Sequence, residues 1–189
     1  MVQENGENIL NQVNLSLDIH LKNTMAVSDA LYYRMIKKTD FASGDIHKEV
    51  QLLYESNKDS LVSIAVFLED GTVVSAAPLS ELKISATPEE EDWFQSAITE
   101  GDVFHFSQPH VQNLFYNTSY RYDWVISLSR RVELLYEGRL REGVLLLDLS
   151  FDGIGKLCQG ISSLSSHYIY LMDNNGELIY HPVLQQINN

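Results

Sequence analysis

The chain has 189 residues, 44% of them hydrophobic and 21% charged, an ordinary globular composition with enough length to bury a substantial core as one domain, or as one domain and a fragment of a second. A formal net charge of −13 argues against a nucleic-acid or anionic-membrane surface, since both need clustered Lys and Arg. Cys158 is the only cysteine, which excludes a disulfide framework and a cysteine-rich zinc site.

Residues from about Glu4 to Lys38 contain no Pro, and their only Gly is Gly6. Leu10, Val13, Leu17, Leu21, Leu31 and Met35 form an apolar stripe at helical spacing, interrupted by Thr24 and Ser28. The pattern predicts an amphipathic helix of about 30 residues, roughly 45 Å long. His20 lies on its apolar edge. A break at Phe41-Ala-Ser-Gly44 precedes a second helix, from about Ile46 to Ser56. Leu61 to Leu68 reads as a strand, Glu69-Asp70-Gly71 as a turn, and Thr72 to Ala76 as the partner strand.

Thr87-Pro88-Glu89-Glu90 is a helix-start signal: Thr caps, Pro suits the first position, and Glu90 completes a capping box. The helix carries Trp93, Phe94, Ala97 and Ile98 and stops before Gly101. Val103 to Phe106 is a short strand, Gln108 to Tyr120 an aromatic-rich loop, and Tyr122 to Leu135 a long strand. Tyr136-Glu-Gly-Arg-Leu140 turns it into Gly143 to Leu149, which is apolar on both faces except at Asp148 and so reads as a central strand. Phe151 to Ile161 has helical spacing, with Cys158 as a packing residue. Tyr168 to Met172 and Leu178 to Tyr180 flank Asp173-Asn-Asn-Gly176, a hairpin signal. No run approaches the roughly 18 apolar residues of a membrane span, and no basic and apolar signal segment opens the chain. The sequence therefore reads as soluble or as a piece of a longer chain, and a final hairpin with few residues after it favours the piece.

The order helix, hairpin, helix, three-strand meander predicts an α+β fold: a long N-terminal helix on a PAS-like antiparallel sheet, with a ligand-sized hollow beneath the Trp93 helix. The stretches Ile64-Ala-Val-Phe-Leu-Glu-Asp-Gly71, Glu91-Asp-Trp-Phe-Gln95, Phe106-Ser-Gln-Pro-His110, Tyr122-Asp-Trp-Val-Ile-Ser-Leu-Ser-Arg130, Gly143-Val-Leu-Leu-Leu-Asp148 and Tyr168 to Pro182 follow a family order. In them the chain resembles the Cache family of extracytoplasmic sensor domains, in wording closest to YesM-like sensor histidine kinases of Gram-positive bacteria. The resemblance implies a double Cache arrangement, divided as 1–60 (helical spine and second helix), 61–161 (membrane-distal PAS-like core) and 162–189 (first hairpin of a membrane-proximal unit). It also implies transmembrane helices outside this sequence, a place on the extracytoplasmic face of a bacterial membrane, and a kinase beyond it.

In amino-acid-binding relatives, the resemblance implies an Arg two residues before the helix Trp for the ligand carboxylate, and an Asp late in the last meander strand for the amine. Asp148 matches the second position, whereas Glu91 stands at the first and would repel a carboxylate. A sugar is therefore the expected ligand, stacked on aromatic faces and hydrogen-bonded by carboxylates and amides. Trp93, Tyr122, Trp124 and Asp148 are the expected contacts, with His105, Ser107 and Tyr116 next. Core packing competes for the aromatics, and a structural hydrogen bond competes for Asp148, which must find some partner in an apolar strand. His105 and His110, five apart around Pro109, have no spacing logic for a metal, and no nucleophile-elbow pattern occurs. The expectation is a non-enzymatic sensor without cofactor, dimerising along its N-terminal helix and binding no nucleic acid. The alternatives are a partner-docking module without a small ligand, or the sensor of a chemoreceptor or cyclase.

Overall fold

The computed structural model describes residues 2–36, 45–78, 81–101, 103–116, 123–162, 169–172, 176 and 178–181. The expected break at 41–44, Tyr122 and residues 173–175 of the last turn fall outside them. Helix α1 runs from Val2 to Leu31 and passes into a π-helical turn, Tyr32–Ile36. Its stripe is unevenly used: Val13 and Leu31 are buried, Leu17 and Leu21 half-buried, and Leu10 is 56% exposed. Thr24 and Ser28, which interrupt the stripe in sequence, are themselves buried. Among the described residues no helix is long and apolar enough to cross a membrane.

Two compact units divide the chain, Thr24–Ser150 and Met1–Asn23 with Phe151–Asn189. The larger is built on a six-stranded antiparallel sheet: β1 (Leu61–Leu68), β2 (Val73–Ala77), β3 (His105–Phe106), β4 (His110–Val111), β5 (Trp124–Tyr136) and β6 (Arg139–Ser150). The order is β2-β1-β6-β5-β3, with β4 also pairing on β5. β6 is the central strand its apolar run predicts, paired with β1 on one side and β5 on the other. Helix plus antiparallel sheet is the α+β, PAS-like architecture expected from the sequence.

Register decides what each face of this sheet carries. The β5–β6 hairpin closes through Glu137 and Gly138, both at positive φ (51° and 72°), as a two-residue loop matched to strand twist requires. Tyr136 then pairs with Arg139, and counting back along the ladder sets Ser127 opposite Asp148. On the other side of β6, Ser63 also pairs with Asp148. Gly143 lies between Leu68 and Val132, where a Cβ would press into the Phe67 carbonyl and the Leu134 side chain.

One face, carrying Ala65, Phe67, Val144 and Leu146, is covered by helix α3 (Asp92–Glu100), which inserts Trp93, Phe94 and Ala97 into a shared core. The opposite face carries Ile64, Val66, Leu145, Leu147 and Leu128, all fully buried. Helix α2 (Asp45–Asn57) and the π turn pack against the sheet through its β1–β2 and β5 strands. Ile46 and Val50 of α2 are buried, and His47 Nδ1 lies 3.0 Å from Ser75 Oγ on β2.

In the smaller unit, helix α4 (Phe151–Ser162) buries Phe151, Ile154 and Cys158, and β7 (Leu171–Met172) pairs with β8 (Leu178–Tyr180) as a separate two-stranded sheet. The Phe151 and Tyr180 rings meet edge to face at 6.3 Å. Burial pushes the Cys158 thiol up to about 11. It therefore stays protonated at neutral pH and fills space, without the thiolate a nucleophile needs.

Candidate functional site

The helix-start signal at Thr87 folds differently from its capping-box reading. Pro88–Glu90 forms a 3-10 turn, Thr87 Oγ1 donates to Glu90 Oε2 at 2.9 Å, and α3 begins only at Asp92. Glu91 becomes the N-cap: its carbonyl accepts from the Phe94 and Gln95 amides at 3.0 Å each, while its side chain makes no capping bond. The extra turn delivers Glu91 and Asp92 to the lip of a cavity of about 730 Å³, within the range of small-molecule sites. Trp93 and Ser96 of α3 form one wall. Phe104, His105, Phe106 and Ser107 on and beside β3, with His110 and Val111 of β4, form the other.

Trp93 serves both readings that the sequence left open. It is 6% exposed, packs with Phe67 and Phe94 at ring distances of 5.7 and 5.6 Å, and still lines the cavity. Its carbonyl accepts from Ser129 Oγ at 2.8 Å, which ties α3 to β5. His105 and Ser107 also line the cavity. His105 Nε2 is buried with no hydrogen-bond partner among the described residues, and its Nδ1 lies 3.7 Å from Glu100 Oε2.

Asp148 is 1% exposed and lies beneath this wall. One carboxylate oxygen accepts from Ser63 Oγ at 2.6 Å and the other from Ser127 Oγ at 2.5 Å. Ser127 Oγ lies 3.4 Å from His110 Nε2, and His110 Nδ1 lies 3.2 Å from Ser107 Oγ and 3.0 Å from the Gln108 carbonyl. The Ser127 amide donates to Ser107 Oγ at 2.9 Å. A polar chain thus runs from Ser63 through Asp148, Ser127 and His110 to Ser107, from the centre of the sheet to the cavity wall. Burial raises the Asp148 carboxyl above the usual carboxylate range, opposed by the Ser127 and Ser63 hydroxyls and by His110.

The other expected contacts are elsewhere. Trp124, 39% exposed, shares the alternation of Ile126 and Leu128 and therefore the sheet face opposite Ser127 and Asp148. Tyr116 is 44% exposed and bonds through its amide to the Glu81 carbonyl, and Tyr122 lies outside the described residues. Ser127, Phe104 and the hydroxyl-linked role of His110 were not singled out from sequence. The signal for Ser127 is the serine alternation Ser127, Ser129 on the strand face opposite the aromatics; Phe104 and His110 carry none.

No protein-family model matches this sequence, and no curated protein matches it. Solved structures do share its fold. The ligand-binding domain of the Pseudomonas aeruginosa amino-acid chemoreceptor PctC, in complex with GABA, superposes with a TM-score of 0.68 at 16% identity, covering 94% of this chain and 74% of that one. The corresponding domain of PctB from the same organism, in complex with L-arginine, gives 0.67 at 19% identity, over 96% of this chain and 64% of that one. The chemoreceptor CtaA of Pseudomonas fluorescens, with L-serine, gives 0.63 at 16% identity, over 97% and 72%. At such identities the likeness establishes the fold.

These structures overturn the sugar expected from the sequence, because the ligands held in this fold are amino compounds. The physical reason lies in the side chains from which the sugar was inferred. Carboxylates beside aromatic faces recognise an ammonium group as readily as they do hydroxyls, by charge-assisted hydrogen bonds and cation–π attraction.

Proposed function

We propose that this chain is the extracytoplasmic sensing domain of a membrane receptor, and that it binds a small molecule bearing a protonated amino group in the cavity beneath α3. The observation that carries the reading is the cavity itself. Its volume, Trp93 on its α3 side, and the carboxylates at its lip together suit an ammonium-bearing ligand. The amino compounds held by neighbours of the same fold support the same class. On this reading the domain recognises and does not transform its ligand, and the output lies in another part of the receptor. Between the outputs considered from sequence, a chemoreceptor is better supported than a histidine kinase, since the neighbours reported above are chemoreceptor domains.

Asp148 acts in this reading through Ser127 and His110, holding the cavity wall in place. A thermal-shift screen of amino acids and amines tests it: a ligand at a hundredfold excess over its Kd stabilises the folded state by about 2.7 kcal/mol. Stabilisation by an amino compound that is lost in Trp93→Ala, with sugars silent, is the expected result. A panel in which no amino compound stabilises the protein contradicts the reading.

A further inference from the structure

The side chains around the cavity specify its ligand more narrowly than the shared fold does. Resting on the sensing function proposed above, we infer that the cavity selects an amine lacking a free carboxylate over the α-amino acid from which it would arise by decarboxylation. Three observations carry this.

The first is charge. Among the described residues lining the cavity, Glu91 and Asp92 are the fixed charges, and no Lys or Arg joins them. Recognition of a carboxylate calls for a cationic fork or for several converging donors. His110, the nearer candidate, is already bonded at both ring nitrogens to Ser127 on one side and Ser107 and Gln108 on the other. The buried cation closest to this wall, Arg130, is directed away from it. Its guanidinium rests 4.8 Å from the Phe104 ring on the face away from α3, and its Nη1 bonds Asp29 of α1 at 2.6 Å.

The second is the state of Glu91. At the N-cap its backbone carbonyl accepts the first helical bonds, and its carboxylate makes no capping bond and so is not engaged by the helix. It belongs to the cavity lining instead. The third is Trp93, which lines the same space from α3, since an aromatic ring beside carboxylates attracts a cation and repels an anion. An ammonium end is met by Glu91, Asp92 and Trp93. A carboxylate on the adjacent carbon meets the same groups with the opposite sign.

Isothermal titration calorimetry on the chain with matched pairs tests this directly: putrescine against L-ornithine, cadaverine against L-lysine, agmatine against L-arginine, with GABA and L-serine alongside. The inference expects at least one amine to bind tenfold or more tightly than its amino acid. It further expects Glu91→Gln to narrow that ratio to less than threefold while leaving the melting temperature of the unliganded protein within about a degree. An amino acid that binds as tightly as its amine overturns the inference and leaves the sensing function standing. Absence of saturable binding by all eight compounds overturns both. A preference for amines that survives in both Glu91→Gln and Asp92→Asn overturns the assignment to these carboxylates.

Discussion

Among the described residues, the two faces of the central sheet each bury one charged side chain, and they hold it in opposite ways. On the α3 face, Asp148 has both oxygens bonded to neutral hydroxyls, Ser63 and Ser127, which are its direct cross-strand neighbours on β1 and β6's other partner β5. Its partners are fixed by register alone, so the arrangement moves only if the sheet does. On the opposite face, Arg130 is 4% exposed and is held by groups outside the sheet: the Asp29 carboxylate, with the Tyr32 and Tyr33 rings at 4.7 and 5.8 Å and the Phe104 ring at 4.8 Å. Asp148 braces the cavity wall from within, whereas Arg130 fastens the end of α1 and its π turn to the sheet.

Removing Arg130 sharpens this comparison most. Arg130→Ala deletes an ion pair and three ring contacts at one buried position, and should destabilise the protein by about 3 kcal/mol, read as a fall in melting temperature. Arg130→Lys should recover less than half of the loss, because an ammonium keeps the charge without the planar group that stacks on rings. Full recovery by lysine would reduce the contact to simple charge pairing.

Asp148→Ala is next in size, leaving two buried hydroxyls without their acceptor at a cost of about 2 kcal/mol. Asp148→Asn separates charge from shape. The folded-state pKa of Asp148 is raised, chiefly by burial, so the native protein binds its proton more tightly than the unfolded chain does. The stability linked to that proton is fully present below the ordinary value of 3.8 and is lost as pH rises through the folded value. Melting curves of the two proteins across pH 4 to 8 should therefore move in favour of Asn as pH increases. Curves that stay parallel would show that burial leaves this carboxyl unperturbed.

The smallest expected effect is at Trp124, on the face away from the cavity and 39% exposed. Trp124→Phe should change stability by less than about 1 kcal/mol and leave ligand affinity unchanged, whereas Trp93→Ala should abolish binding and cost about 3 kcal/mol in lost core packing. Equal loss of affinity in both variants would place the ligand where neither face alone can hold it.

Much of this organisation is legible in the sequence, and its gaps have one physical origin. Local pattern suffices for β1, which folds over the whole span its apolar run predicts, for the long helix, and for Asp148 as a carboxylate needing a partner. What local pattern does not supply is register. Reading Tyr136 to Leu140 as an extended turn hides the two-residue loop at Glu137-Gly138, and with it the pairing of Ser127 with Asp148. Once that pairing is counted, Trp124 falls on the face opposite Asp148, and the serines, not the aromatics, connect the acid to the cavity. The start of α3 lies later than the capping pattern predicts, for a related reason. Thr87 and Glu90 do bond to each other, but around a 3-10 turn, which moves Glu91 to the N-cap and to the lip of the cavity.

The cavity beneath α3 as the ligand site is the central claim, and the protein carries its own probe for it. With Trp124→Phe, Trp93 is the one remaining tryptophan, and it lines the cavity. Titration of that variant with a calorimetrically active amino compound should shift Trp93 emission along a saturable curve, with the Kd found by calorimetry. Calorimetric binding with unchanged Trp93 emission and an unperturbed affinity in Trp93→Ala would contradict the account and move the ligand away from α3.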